Sequence, residues 1–237
     1  MEKLKEYALE YGIELSSEQL GQFNNYYEML IEKNKVMNLT AITDKDEVVL
    51  KHFADSIAIA KYLPEIFEKN LTVIDIGTGA GFPGIPLKIA FPQLEITLLD
   101  SLNKRILFLQ DVISKLGLTG ITALHGRAED FARKSEFREN FDIAVSRAVA
   151  NLSALSEYCI PFVKLKGLFI PYKSGMIDEE LDAGKNAIKI LGGKTECVEK
   201  LTLADTDISR SFIFIRKMNK TPKTYPRKAG TAAKNPL

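Results

Sequence analysis

The sequence predicts an α/β fold with a mostly parallel, seven-stranded sheet, an antiparallel C-terminal strand and an N-terminal helical segment. Three observations lead to this prediction. Short apolar runs alternate with helical patterns between residues 71 and 175, as in successive β-α-β units. The first run enters a turn rich in glycine, which allows backbone conformations that a side chain would block. Two β-like runs near the C-terminus are joined by a link too short for a crossover helix, so they should be antiparallel.

The N-terminal segment, residues 1–70, has the pattern of helices. A capping box over Ser16–Gln19 precedes apolar residues at helical spacing. A polar connector over Asn34–Thr40 is expected to separate this helix from a second one over Glu47–Leu63. The second helix should stop before Pro64, because proline removes a backbone donor and disfavours a helical residue before it.

Seven apolar runs predict the strands. They cover residues 72–76, 95–99, 121–124, 141–145, 167–171, 196–203 and 211–216. A helix is expected near residues 177–190, and right-handed crossovers should cover both faces of the sheet with helices. The sheet-forming domain is therefore predicted to span residues 71–217. Residues 218–237 remain as a basic C-terminal arm.

Composition excludes several classes of protein. At 237 residues with 46% apolar content, the chain is long enough to bury a full core. No apolar run approaches the ~20 residues of a membrane span, and the N-terminus lacks the apolar part of a secretion signal, so we expect a cytoplasmic protein without a membrane partner. Cys159 and Cys197 are not spaced for zinc, which predicts no metal site and two reduced thiols that are buried or inert.

The charges are unevenly distributed along the chain. Net charge is +1, yet no acidic residue follows Asp207, whereas lysines and arginines recur to the end. A basic C-terminal arm suggests contact with a polyanion. Tyr225, between two prolines, could stack on a base while the arm follows an RNA backbone. The alternative is a solvated tail that serves only solubility.

Two nucleotide-like ligands suit the glycine turn. Gly79, Gly81 and Gly84 fit the dinucleotide fingerprint, and Asp100 lies about 20 residues on, where an acid could hold ribose hydroxyls. Asp75 favours S-adenosylmethionine, because a carboxylate there would repel a pyrophosphate but attract a sulfonium and an ammonium group. The order strand, Asp-x-Gly-x-Gly, helix, strand, acid therefore predicts a Rossmann-like class I methyltransferase. A nicotinamide-dependent oxidoreductase and a turn that serves only packing are the alternatives.

Ligands of open α/β sheets bind beyond the carboxyl ends of the strands. At the first exit, Phe82 is positioned to contact the ligand. At the third, the backbone of Ala128 and Glu129 could pair with an adenine edge, although Glu129 could equally be an acid of a first helical turn. At the fourth, within Ser146–Val149, Arg147 should face the reacting methyl group as an orienting or nucleic-acid contact, with a rim charge as the alternative.

The fourth exit also limits the chemistry. It has neither the Asn/Asp-Pro-Pro-aromatic motif of adenine amino methylation nor a cysteine nucleophile for cytosine carbon-5. Guanine N7 has an in-plane lone pair that needs no deprotonation, so alignment with the methyl group would suffice. No catalytic residue is assigned. His52 and Asn38 are interpreted as structural, the first as a hydrogen-bonded histidine and the second as a turn residue.

Several motifs resemble one known family. They are Met37–Ile42, His52–Ser56, Asp75–Pro86, Leu99–Ser101, Gly126–Glu129, Ser146–Val149 and Tyr225–Gly230. The chain resembles, nearly end to end, the ribosomal RNA small-subunit methyltransferase G family, also called glucose-inhibited division protein B.

The resemblance implies methyl transfer from S-adenosylmethionine to N7 of one guanine in 16S ribosomal RNA, either as RNA or in a precursor of the small subunit. It also implies cofactor contacts, at Gly77, Phe82, Ala128, Glu129 and Arg147. Gly79 and Asp100 are added to that set from the physical argument above. A methyltransferase for another RNA or a small molecule, and a non-enzymatic RNA-binding factor, remain alternative functions.

Overall fold

The computed structural model describes residues 1–147 and 150–237, so Ala148 and Val149 of the motif at the fourth strand exit lie outside the described residues. Seven strands form the sheet: β1 (Thr72–Ile76), β2 (Glu95–Asp100), β3 (Ile121–His125), β4 (Phe141–Arg147), β5 (Val163–Ser174), β6 (Gly193–Thr202) and β7 (Ser209–Lys217). Each predicted run overlaps one of these strands, and the run over 196–203 extends one residue beyond β6.

The strands follow the order β3-β2-β1-β4-β5-β7-β6 in one sheet. Strands β1 to β5 pair in parallel, and β7 is antiparallel to both of its neighbours. The short link between β6 and β7 is closed by the Leu203 amide, which donates to the Ile208 carbonyl at 2.9 Å. A link of this length cannot return the chain to the other end of the sheet, so the two strands must run in opposite directions. The predicted fold class is confirmed.

Helices flank the sheet and precede it. They are α1 (Glu2–Glu10), α2 (Ser17–Met37), α3 (Lys45–Val48), α4 (Asp55–Ile57), α5 (Glu65–Glu68), α6 (Gly84–Ala90), α7 (Asn103–Lys115), α8 (Ala128–Phe131), α9 (Leu152–Cys159), α10 (Asp178–Ile190) and α11 (Thr231–Lys234). In the described part of the chain, no helix is both long enough and apolar enough to cross a membrane.

The capping box at the start of α2 is present. The connector expected over Asn34–Thr40 is wrong in its first part, because residues 34–37 are still helical. Helix α2 continues to Met37 and ends where Asn38 adopts the left-handed conformation, with a φ of 49°. The side chain of Asn34 then closes the turn, because its Oδ1 and Nδ2 bond the amide and the carbonyl of Thr40. Asparagine tolerates this conformation better than most residues, which agrees with the expected role of Asn38.

The second helical stretch is irregular. It starts with α3, capped by Asp44, and continues as a π-helix over Val49–Ala54 before α4. A 3₁₀ turn over Ala58–Tyr62 ends it before Pro64, as expected. Helical periodicity in the sequence gives no sign of the π-helix. Such segments occur often at functional sites, because the wider turn redirects side chains and carbonyls.

The sheet separates two hydrophobic clusters. Alternate residues of β1 point to opposite faces, so that Val73 belongs to one cluster and Ile74 to the other. Helices α1 and α2 and the π-helix complete the first cluster, in which Phe23, Tyr26 and Phe53 are fully buried. Residues 1–70 therefore form part of the main core.

The two thiols differ in exposure. Cys159 is completely buried in the second cluster, as expected of a core thiol, and burial raises its pKa well above the usual value. Cys197, on β6, is exposed. Its strand lies at the edge of the sheet and has a single neighbouring strand, β7, which leaves the side chain open to solvent.

The C-terminal segment, residues 218–237, lies on the body of the protein. Arg227 forms a bidentate ion pair with Glu157, whose side chain is 1% exposed. Arg138 donates to the carbonyls of Thr221 and Tyr225. Tyr225 is half-buried and packs against the second cluster.

Candidate functional site

A cavity of about 940 Å³ opens at the carboxyl edge of the sheet. This volume lies near the upper end of the range for small-molecule sites. Five of the predicted site residues line the cavity: Gly77, Gly79, Phe82, Asp100 and Arg147. The structure thus brings together the exits of β1, β2 and β4, as expected for an open α/β sheet.

Two backbone hydrogen bonds and one buried carboxylate fix the glycine turn. The amides of Gly77 and Thr78 donate to the carbonyl of Leu99 at 2.8 and 3.2 Å. Asp75 Oδ2 accepts from Thr78 Oγ1 at 2.6 Å and from the Gly84 amide at 2.9 Å. The carboxylate therefore joins the turn to the start of α6.

Asp75 does not line the cavity. Its side chain is fully buried, and burial raises its pKa to about 6. Its Oδ1 has no hydrogen-bond partner among the described residues. Asp75 was expected to attract a cationic ligand directly, but its hydrogen bonds to Thr78 and Gly84 instead make it a support beneath the turn.

Asp100 connects the glycine turn to α7. Its Oδ2 accepts from the Gly79 amide at 2.9 Å and from Arg105 Nη1 at 3.2 Å, and its Oδ1 accepts from the Leu102 amide at 2.9 Å. The side chain is 3% exposed, yet it reaches the cavity. A carboxylate has about four acceptor positions, so three are taken and one is open.

An aromatic cluster forms the wall next to the glycine turn. The His52 ring stacks on Phe82 with centroids 4.6 Å apart and an interplanar angle of 24°. The Arg147 guanidinium lies 5.0 Å from the centroid of the same ring. Tyr26 donates to the Ala80 carbonyl at 2.5 Å, which ties α2 to the glycine turn. Phe82 is thus held between the N-terminal helices and β4.

Arg147 is fixed by the irregular helical stretch. Its Nη1 donates to Asp55 Oδ2 at 2.9 Å and approaches the carbonyls of Lys51 and His52 at 3.4 and 3.5 Å. The π-helix therefore presents carbonyl groups to a cation. The Arg147 side chain is 14% exposed and lines the cavity.

His52 is neutral at physiological pH. Burial lowers its pKa to about 4, and the neighbouring Arg147 guanidinium acts in the same direction. Nε2 of the ring lies 2.8 Å from Thr40 Oγ1, and Nδ1 lies 3.1 Å from the Lys51 carbonyl. The expected hydrogen-bonded histidine is therefore found, but it belongs to the cavity wall.

We expect a pH titration followed by NMR to give His52 a pKa near 4, with a His125→Asn variant to assign the resonance. Because the folded pKa lies below the unfolded value, the stabilising contribution of neutral His52 is complete above about pH 6.5. It is lost as pH falls from there towards 4. A titration midpoint near 6.5 would mean that the ring is open to solvent.

Sequence reasoning missed much of the cavity wall. The N-terminal segment contributes Leu39, Thr40, Ile42, Lys51, His52 and Asp55, and the later part of the chain contributes Tyr172, Lys173, Ser174, Glu180 and Arg210. Two of the motifs quoted above, Met37–Ile42 and His52–Ser56, were available as signals. Their positions in the sequence did not show that they meet the sheet edge.

Ala128 and Glu129 do not line the cavity. They begin α8 after the exit of β3, next to the strand that carries Asp100. The Glu129 side chain is buried, and its Oε1 accepts from the Gly230 amide at 3.0 Å. This carboxylate thus holds the C-terminal segment.

Comparisons with known proteins agree with this geometry. The family model for rRNA small subunit methyltransferase G matches residues 19–212. The protein named ribosomal RNA small subunit methyltransferase G from Limosilactobacillus reuteri is 53% identical over 237 residues, covering 100% of this chain and 98% of its own length. The protein of the same name from Lachnoclostridium phytofermentans is 54% identical over 226 residues, covering 95% of this chain and 93% of its own.

Solved structures share the fold at low sequence identity. A SAM dependent methyltransferase from Aquifex aeolicus has a TM-score of 0.54 and 16% identity, over 76% of this chain and 97% of its own. TYW2 from M. jannaschii, solved in complex with AdoMet, has a TM-score of 0.53 and 15% identity, over 69% and 77%. The full-length relatives and the family match lead to one conclusion: the chain belongs to the rRNA small subunit methyltransferase G family.

Proposed function

We propose that this protein transfers a methyl group from S-adenosylmethionine to N7 of a guanine in 16S ribosomal RNA. One observation carries the proposal: a single cavity contains both the glycine turn with Asp100 and a group of basic and aromatic side chains. That group includes His52, Arg147 and Arg210. Such a cavity suits a nucleoside cofactor beside a nucleotide. The name of the full-length relatives supplies the RNA.

The residues at the glycine turn fit S-adenosylmethionine. Gly77 and Gly79 have φ values of 69° and 62°, and a Cβ on Gly79 would meet only the Gly77 carbonyl, at 3.9 Å. The turn therefore leaves its backbone open to a ligand. Asp100 would hold the ribose through its open acceptor position, and the backbone of Ala128 and Glu129 is the proposed partner of the adenine edge. When bound, the cofactor supplies an electrophilic methyl group.

The chain's own residues orient the reaction. Guanine N7 needs no base, because its lone pair lies in the ring plane and carries no proton. Phe82, in contact with both His52 and Arg147, offers a rigid surface for alignment of the base and the cofactor. Neutral His52 adds no charge that would repel the sulfonium. The rate should therefore depend on positioning more than on the titration of any side chain.

Asp100→Ala should weaken the binding of S-adenosylhomocysteine by about 1–3 kcal/mol, because both a ribose acceptor and the bond to the Gly79 amide are lost. Isothermal titration calorimetry measures the change. Asp111→Ala is the matched control, since Asp111 is exposed on the following helix. Unchanged affinity in Asp100→Ala would move the ribose away from this carboxylate.

The proposed substrate is 16S ribosomal RNA or a precursor of the small subunit, which places the proposed reaction in the cytoplasm. The exposed lysines of residues 218–237 favour contact with its phosphates: Lys220, Lys223, Lys228 and Lys234. They remain available although the segment itself is packed on the body.

The decisive experiment incubates the protein with labelled S-adenosylmethionine and with 16S ribosomal RNA or small subunits from cells that lack the modification. We expect label at N7 of one guanine, mapped by cleavage at the modified base. Label in another RNA, or only in small molecules, would refute the substrate assignment. Calorimetric binding of NADH but not of S-adenosylhomocysteine would refute the cofactor. The antiparallel β7 already favours a methyltransferase sheet over a dinucleotide-binding one.

A further inference from the structure

One buried carboxylate is shared by two arginines at the cavity wall. Asp55 is 1% exposed, and its Oδ2 accepts from Arg147 Nη1 while its Oδ1 accepts from Arg210 Nε, each at 2.9 Å. Arg147 comes from β4 and Arg210 from β7, the strands on either side of β5. The two strands lie about 10 Å apart, at roughly 4.8 Å per step. Asp55 therefore links the side chains of β4 and β7 across the intervening strand β5.

This pair differs from the other ionic contacts of the cavity. Lys51 pairs with Glu47, Arg105 with Asp100 and Lys173 with Glu180. Each of these cations has its own carboxylate, so each pair is neutral. Among the described residues, Arg147 and Arg210 share Asp55 as their one carboxylate partner, so the group of three side chains has a net charge of +1. A partly desolvated positive charge beside an open cavity favours an anion of charge −1.

Arg210 has donors left for such an anion. Its Nε is bonded to Asp55 and its Nη1 to the Ser209 carbonyl at 3.2 Å, while Nη2 has no hydrogen-bond partner among residues 1–147 and 150–237. The side chain is 21% exposed and lines the cavity. Arginine binds phosphate oxygens through several N–H groups of one plane, and Asp55 fixes that plane.

The position of Arg210 separates it from the proposed cofactor. Strand β7 lies three steps from β1, about 14 Å, and Asp100 is on β2, one step further. Because β7 is antiparallel, its beginning lies at the cavity edge, where Arg210 pairs in register with Ser174 at the end of β5. The anion at Arg210 therefore lies on the side of the cavity away from the glycine turn.

We propose that Arg210, held by Asp55, binds a backbone phosphate of the RNA next to the target nucleotide. The inference rests on the proposed function, since it takes RNA as the substrate. Asp55 is a positioning residue in this arrangement: it holds Arg147 beside Phe82 and Arg210 towards the RNA.

The test compares Arg210→Gln with Arg216→Gln. Arg216 lies on the same strand and the same face, pairs with Glu196, and is in register with Leu168 in the middle of β5, away from the carboxyl end where Arg210 pairs. Binding of 16S ribosomal RNA is measured over a range of salt concentrations, together with methyl transfer and calorimetry of S-adenosylhomocysteine. Arg210→Gln should weaken RNA binding about tenfold at low salt and reduce the slope of log affinity against log salt by about 0.7–0.9. Its cofactor affinity should stay within about twofold of the parent.

Arg216→Gln should leave all three measurements at the values of the parent protein. Asp55→Asn is a second test, because it removes the negative charge of the site and weakens the ion pairs that hold both arginines. We expect weaker RNA binding from Asp55→Asn in spite of the added charge. Tighter RNA binding by Asp55→Asn would show that the net charge of the site, and not the orientation of the arginines, controls RNA affinity, and it would overturn the positioning role of Asp55. If Asp55→Asn does not fold, the comparison of Arg210→Gln with Arg216→Gln tests the proposal.

The outcomes separate the two hypotheses. An unchanged salt slope in Arg210→Gln, with an active parent protein, overturns the phosphate contact and leaves the proposed function intact. A tenfold loss of S-adenosylhomocysteine affinity in that variant would assign Arg210 to the cofactor carboxylate instead. A parent protein that neither binds nor methylates 16S ribosomal RNA or the small subunit refutes the proposed function itself.

Discussion

Deletion of residues 218–237 should lower the melting temperature by about 6–20 °C. The deletion removes Arg227 and leaves Glu157 as a buried, unpaired carboxylate, which costs about 3–5 kcal/mol. In a domain of this size, 1 kcal/mol corresponds to about 2–4 °C. Differential scanning calorimetry measures the shift. Thr221 is also lost, whose Oγ1 donates to the Leu191 carbonyl at 2.8 Å.

Arg227→Ala isolates the ion pair from the rest of the segment. It should lower the melting temperature by most of the same amount, whereas the neighbouring Lys228→Ala should change it by less than about 2 °C, because Lys228 is exposed. Equal melting temperatures for the two variants would show that Glu157 is hydrated after the loss of Arg227. A truncated protein is therefore a poor probe of RNA binding, and substitution of the exposed lysines is the better one.

Gly81→Ala should destabilise the protein by several kcal/mol and abolish cofactor binding. The φ of Gly81 is 105°, and a Cβ there would lie 2.7 Å from the Tyr26 hydroxyl oxygen, 2.8 Å from Ile85 Cδ1 and 2.9 Å from Leu109 Cδ2. Backbone strain costs about 1–3 kcal/mol, and overpacking adds a similar amount. Urea unfolding gives the change in the free energy of unfolding.

Gly79→Ala is the matched control. Its φ is also positive, at 62°, but a Cβ would meet no atom closer than 3.9 Å. Only the cost of the left-handed conformation remains, about 1–2 kcal/mol. Similar losses of unfolding free energy in the two variants would mean that the turn relaxes around the added Cβ at position 81, and that the Tyr26 hydroxyl moves aside at little cost.

The sheet could be predicted because its signals are local. Each strand is a short apolar run, and the link between β6 and β7 is too short for any arrangement except an antiparallel one. The strand boundaries differ from the predicted ones by a few residues. The largest difference is at β5, which begins at Val163 although the predicted run began at residue 167. Strand ends carry the glycine turn, Asp100 and Arg147, so these residues could be placed at the site as well.

The rest of the site depends on contacts between distant segments. Periodicity could not show that a π-helix over Val49–Ala54 turns carbonyl groups towards Arg147, because a segment of 6 residues is too short to show a period of its own. Nor could charge counting show that Arg227 is bound to Glu157, 70 positions away in the chain. Basic residues in a C-terminal segment have the same composition whether they are free or paired.

The α/β fold, the edge of the sheet that carries the site, and the family of methyltransferases to which the chain is related could all be read from the sequence. These follow from local patterns whose geometry is set by the backbone, since parallel strands direct their carboxyl ends to one edge. Three features became visible only in the folded protein: the part of the cavity lining that comes from residues 1–70, the sharing of Asp55 by Arg147 and Arg210, and the packing of the C-terminal segment. Those features arise where hydrophobic burial brings the N-terminal helices onto the sheet, which leaves buried charges to find partners far away in sequence.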